Sequence, residues 1–68
     1  MIDPNMKPID ILRLALEREK DAFKFYSEAA RVSTDPASKA TFQEMAEEEQ
    51  RHIQQLEGEL DRWYQSDN

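Results

Sequence analysis

Met45-Ala46-Glu47-Glu48-Glu49-Gln50-Arg51-His52 decides how this chain is read. Met45, Glu49 and His52 follow one another at steps of four and three residues. The same steps run outward, back to Phe42 and on to Leu56, Leu60 and Trp63. That spacing is one stripe on an α-helix facing a partner. Upstream, Ile9, Leu12, Leu16, Glu19, Phe23, Tyr26 and Ala30 form a second stripe of the same kind. Both stripes are apolar except at Glu19 and at the pair Glu49 and His52. A charge in a core costs several kcal/mol unless it is paired or metal-bound. Three such residues at matching depth point to a bound cation.

Between the stripes, Ser33-Thr34-Asp35-Pro36 interrupts the period. Asp35 suits an N-cap and Pro36 a first helical turn, so the chain stops and restarts there. Pro8 suits the first turn of helix one, where its missing N–H costs nothing. Asp10 then lies near the positive end of the helix dipole. The pattern predicts helix one over about 9–32, a turn at 33–35 and helix two over about 36–64, with flexible ends at 1–7 and 65–68. So short a link joins an antiparallel hairpin. Ala15, Ala22 and Ala29 recur beside the first stripe, where small side chains let a neighbouring helix approach. Gly58 lies inside helix two, off the stripe, at a cost of up to ~1 kcal/mol relative to Ala.

The chain has 68 residues and no Cys. A core of that size is marginal alone, and disulfide staples are excluded, so oligomerisation or a metal must supply stability. One hairpin cannot cover its own stripes. It leaves an open apolar face carrying Phe23, Phe42, Leu56 and Trp63. Two copies related by a two-fold axis would close an antiparallel four-helix bundle, so the expected protein is an all-α homodimer. The net charge of −6 argues against nucleic acid as a partner. No apolar run approaches the roughly 20 residues that span a membrane, and Met1–Pro8 holds no hydrophobic signal region. The expected location is the cytoplasm, with the interior of a protein compartment as an alternative. Without Cys, a thiol nucleophile and a rubredoxin-type iron site are also excluded.

Glu49 and His52 form Glu-x-x-His and lie within about 60° of each other on one helix face. Glu19 adds a carboxylate from the facing helix. One chain gives two carboxylates and one imidazole, which under-coordinates a single transition metal. Two chains give four carboxylates and two imidazoles, the ligand set of a di-iron or di-manganese carboxylate centre. Two divalent ions and four carboxylates also balance in charge. The competing readings are plainer. Glu49 could be one more solvated charge in Glu47-Glu48-Glu49, and His52 a hydrogen-bonded core histidine. Tyr26 could touch a ligand or simply pack in the seam. Phe42 and Trp63 read as core or dimer contacts, and Glu44, Glu47 and Glu48 as outer-face charges. Glu44 or Glu48 has a further reading in metal entry or at an interface.

Glu19-Lys-Asp-Ala-Phe-Lys-Phe-Tyr26 and Met45-Ala-Glu-Glu-Glu-Gln-Arg-His52, with the Asp35-Pro36 turn and Phe42 between them, resemble the ferritin-like superfamily and rubrerythrins in particular. The resemblance covers about Leu12 to Leu60, one helix pair where family members of ordinary length carry two. It implies a half-ferritin, complete only as a homodimer, with assembly into a higher oligomer also open. It implies two iron ions per dimer, with manganese as the alternative. Glu19 and His52 would be terminal ligands, and Glu49 would bridge the metals. The Tyr26 hydroxyl would support a ligand carboxylate from behind. Rubrerythrins commonly carry another glutamate three residues after the first-helix ligand in one half. Here that position is Ala22, which implies a symmetric site. The rubredoxin module is absent, so electrons would come from an external donor. The implied activity is oxidoreductase chemistry of the ferroxidase or peroxidase type, acting on dioxygen or hydrogen peroxide. The alternatives are a structural or adaptor helical dimer, and a dimer stapled by a non-redox metal.

Overall fold

The computed structural model describes residues 2–66. The expected flexible ends fall partly on Met1, Asp67 and Asn68, which lie outside the described residues. Two helices make up the fold, α1 over Pro8–Val32 and α2 over Pro36–Ser66. Helix α1 starts one residue before the expected position because Pro8 itself takes the first helical place. Helix α2 continues two residues past Tyr64, because Gln65 and Ser66 carry no signal that stops a helix. Ahead of α1 the chain makes a small turn. The Asn5 N–H donates to Asp3 Oδ1 at 2.9 Å, and the Met6 N–H to the Asp3 carbonyl at 3.0 Å.

The link between the helices is tied at both ends. Asp35 caps α2 through Oδ2, which accepts from the Ser38 N–H at 3.0 Å and from the Ser38 hydroxyl at 2.8 Å. Ser33 closes α1 by donating from its N–H at 3.0 Å and its hydroxyl at 2.6 Å to the Ala29 carbonyl. Lys39 reaches back from α2, and its ammonium donates to the Ala30 carbonyl at 2.8 Å. A cation on the last carbonyls of α1 also meets the negative end of its dipole. The opposite end is joined by the Arg13 guanidinium, which hydrogen-bonds the Tyr64 hydroxyl and lies 5.7 Å from the ring centre. These contacts make the pair antiparallel.

The molecule measures 49 × 24 × 12 Å. Its thinnest dimension is the diameter of a single helix with its side chains, so the hairpin is one layer thick. The radius of gyration is 15.1 Å, against about 11 Å for a compact chain of this length. Among the described residues, only Ala30, Ala46 and Leu60 are buried, and no large side chain is fully enclosed. Leu12, Leu16, Phe23, Phe42 and Leu56 are half-buried.

The packed face of α2 differs from the expected stripe. Ala46, Ile53 and Leu60 recur at seven-residue steps and turn toward α1, two of them buried and Ile53 half-buried. Met45 and Trp63, expected in the seam, are exposed. The apolar arc of α2 is wider than one helix can cover. Its Ala46 side meets α1, and its Met45–Trp63 side is left at the open edge. Phe25 and Val32 of α1 are more exposed still, at 65% and 57%.

Charges occupy the outer faces. Glu28 with Arg31, Glu48 with Arg51 and Glu59 with Arg62 pair at the same three-residue step. All are exposed, and each adds little stability in water. Neither helix is long and apolar enough to cross a membrane.

Gly58 sits within the unbroken length of α2, and a Cβ built there meets nothing within 4 Å. Gly58→Ala is therefore expected to raise stability by about 0.5–1 kcal/mol, because it removes chain entropy from the unfolded state without a clash. Denaturant titration of the two proteins checks this. A loss of stability would mean that another helix packs against Gly58.

Candidate metal centre

Glu19 lies midway along α1, and Glu49 and His52 share one face of α2. The antiparallel pairing brings the three together. One ligand-type atom from each residue lies within 4.8 Å of the other two. His52 Nδ1 is 3.4 Å from Glu19 Oε2 and 3.8 Å from Glu49 Oε2. Both carboxylates therefore face the same ring nitrogen. The side chain of Glu49 is 17% exposed, that of Glu19 29% and that of His52 42%. The cluster is sheltered by the hairpin but open on one side.

The two carboxyl groups lie within 4.8 Å of each other, and among the described residues neither forms an ion pair with a Lys or Arg. Two carboxylates this close cannot both ionise at their ordinary pKa. Hydrogen bonding to Glu19 pushes the Glu49 carboxyl up from its ordinary 4.5, and burial and the Glu19 charge add to the shift. Glu19 moves the other way, chiefly because it accepts that hydrogen bond, with the His52 ring helping and burial opposing. Of the two, Glu49 keeps its proton to the higher pH.

This arrangement fixes a sign. Glu49 gains protons on folding above pH 4.5, so its contribution to apo stability is present at low pH and fades as pH rises through its folded pKa. Glu19, shifted down, contributes stability above pH 4.5 that is lost as pH falls through its own folded value. From pH 4.5 upward the Glu49 term governs this pair. In chelator, the parent is expected to lose stability relative to Glu19→Gln as pH rises above 4.5, because Glu19→Gln removes the charge that favours the Glu49 proton. Thermal melts of both proteins across that range check it. Parallel curves would mean that the two carboxyl groups titrate independently.

Tyr26 stacks across the hairpin on Phe42, with ring centres 6.4 Å apart and planes 19° from parallel. It also takes the edge of Phe25 at 5.3 Å. Packing in the seam is thus the role visible for Tyr26. Of the other acidic residues, Glu44 and Glu47 are exposed. Glu48 is different, because its Oε1 lies 3.5 Å from His52 Nε2 while its Oε2 pairs with Arg51. Its four-residue step to His52 is the signal that could have separated it from its acidic neighbours.

The donor set suits a hard or borderline cation. Carboxylate oxygens and an imidazole nitrogen together favour iron, manganese or zinc over copper(I), which prefers sulfur. Among the described residues, no lysine or arginine forms an ion pair with Glu19 or Glu49, so a bound cation would balance their charge. Glu19, Glu49 and His52 could therefore hold a metal ion.

An antiparallel helical hairpin with a carboxylate from one helix and Glu-x-x-His from the other defines an all-α protein with a candidate carboxylate–histidine metal site. The rubrerythrin family model matches residues 10–68, and the chain belongs to that family. No curated protein and no solved structure matches it.

Proposed function

We propose that two copies of this hairpin close a four-helix bundle around two iron ions, held by Glu19, Glu49 and His52 of each chain. The observation that carries the reading is the convergence of these residues within 4.8 Å on a hairpin one helix thick. Three ligands under-coordinate one metal, and the apolar edge beside them is left uncovered. A second copy answers both deficits at once. Membership of the rubrerythrin family, whose members typically bind iron, favours iron over manganese or zinc.

The chain's own residues have definite tasks in such a centre. A bound metal favours the ionised form of Glu49, and the four carboxylates of the dimer then balance two divalent ions. His52 contributes a neutral nitrogen, which leaves that balance unchanged. Phe23, Phe42 and Leu56 lie on the same stripes as the ligands and are half-buried, so they supply apolar surface for the second copy to cover. Tyr26 stands two turns beyond Glu19 on the same face. Its ring is fixed by Phe42, and its hydroxyl supports a ligand carboxylate. When bound, a pair of ferrous ions supplies two electrons side by side, enough to reduce hydrogen peroxide to water or dioxygen to hydrogen peroxide. Ferroxidase and peroxidase turnover differ in which oxidant is consumed and in whether an external donor returns the electrons.

The test is an anaerobic ferrous titration followed by addition of dioxygen or of hydrogen peroxide to separate samples. Oxidation that saturates at one ferrous ion per chain supports the proposal. The faster oxidant then identifies the activity. Binding at that ratio with no oxidation beyond the rate in buffer would reduce the site to a structural staple.

A further inference from the structure

His52 is flanked by carboxylates on both ring nitrogens. Nδ1 faces Glu19 and Glu49 at 3.4 and 3.8 Å, while Nε2 faces Glu48 at 3.5 Å. Glu48 is itself held in place, since its second oxygen pairs with Arg51 on the next turn of the same helix. Glu48 thus joins Arg51 on one oxygen to the imidazole on the other. A neutral imidazole carries one proton, and the nitrogen that lacks it is the one able to bind a metal. With a metal between Nδ1 and the Glu19 and Glu49 carboxylates, a carboxylate at Nε2 favours the tautomer with the proton there and leaves the Nδ1 lone pair for the metal.

We infer that Glu48 is the positioning residue of His52: held by Arg51, it accepts the Nε2–H and so selects Nδ1 as the metal-binding nitrogen. The inference rests on the metal-site reading above. It gives a role to one glutamate of the acidic run Glu47-Glu48-Glu49 that has the same charge as its neighbour Glu47 but a different position. Glu48 is exposed, so solvent competes for its hydrogen bond. The expected loss on its removal therefore lies toward the low end of the roughly 10–100-fold range typical of such partners.

His52 is the only histidine in the chain, so its ring signals need no assignment against others. Zinc is the probe, because it fills carboxylate–imidazole sites without redox chemistry. Zinc affinity is measured by calorimetry for the full-length parent, Glu48→Ala, Glu48→Gln and Glu47→Ala, and ring nitrogen shifts are recorded by NMR for the zinc-loaded proteins. The parent is expected to show zinc on Nδ1 and a proton on Nε2 that exchanges slowly with water. Glu48→Ala is expected to bind zinc about tenfold more weakly and to exchange that proton faster. Glu48→Gln, which keeps an acceptor oxygen, should recover part of both effects. Glu47→Ala removes the same charge one residue away and should change neither. Equal affinities for Glu48→Ala and Glu47→Ala, or zinc on Nε2 in the parent, would overturn the inference. A parent that binds no zinc, iron or manganese would instead overturn the metal-site reading on which it stands.

Discussion

The double variant Glu49→Ala with His52→Ala is expected to lose iron binding altogether in the micromolar range. It removes two of the three ligands that each chain contributes, and both come from one helix face, so no neighbouring group can substitute. Loss of a single supporting partner of a metal ligand already costs about 10–100-fold in affinity. Removal of two ligands per chain must cost more than that. The variant should still form helices, because neither residue lies at the Ala46–Ile53–Leu60 contact with α1. Circular dichroism together with equilibrium dialysis against ferrous ion under argon measures both halves of the expectation. A helical double variant that retains one tightly held iron per chain would mean that other residues bind the metal.

Glu19→Leu is expected to act in opposite directions on the metal-free and metal-loaded protein. In the metal-free state Glu19 is an anion pressed against the Glu49 carboxyl in a largely apolar seam. Leucine fits the stripe between Leu16 and Phe23 and removes the charge beside Glu49. The metal-free protein should gain about 1 kcal/mol, the low end of the range for replacing buried ionic groups, because the hairpin leaves Glu19 part-exposed. The same change removes a ligand, so added ferrous or manganous ion should raise the melting temperature of the parent and leave that of Glu19→Leu nearly unmoved. Melts at pH 7 with chelator and with metal give all four values at one protein concentration. If Glu19→Leu melts well below the parent in chelator, Glu19 has a structural partner other than Glu49 and His52, and the electrostatic case for a cation fails.

Much of the fold was legible because it rests on local signals. Asp35 and Pro36 announce the second helix, and the Asp35 carboxylate does cap it. The phase of Glu19, Glu49 and His52 in their stripes anticipates their meeting, since two antiparallel helices of fixed rise bring mid-helix residues to the same level. The capping of α1 by Lys39 was not legible, because it depends on how the two axes pass each other. The division of the α2 apolar arc was also hidden. A periodicity of 3.6 residues shows that an arc exists, but it does not say that Ala46 faces α1 while Met45 lies at the open edge. Small Ala46 permits a close helix–helix approach that bulky Met45 does not. Glu48 was lost in a run of three glutamates that composition treats as alike. Only its distance to His52 Nε2 separates it from Glu47.

In the proposed dimer, one second copy would cover the wide apolar arc and complete the three-residue ligand set. Ordinary hydrophobic burial would drive association even without metal. Metal would then add to it, because it binds the closed bundle and not the unfolded chain. Melting temperature should accordingly rise with protein concentration, as it does when unfolding and dissociation are one step.

Native mass spectrometry of protein loaded anaerobically with ferrous ion tests the central claim most directly, since it reads subunit number and metal number on one particle. The account predicts a single dominant species with twice the mass of the 8.0 kDa chain and two iron ions. A folded monomer at micromolar concentration, with or without one iron, would contradict it.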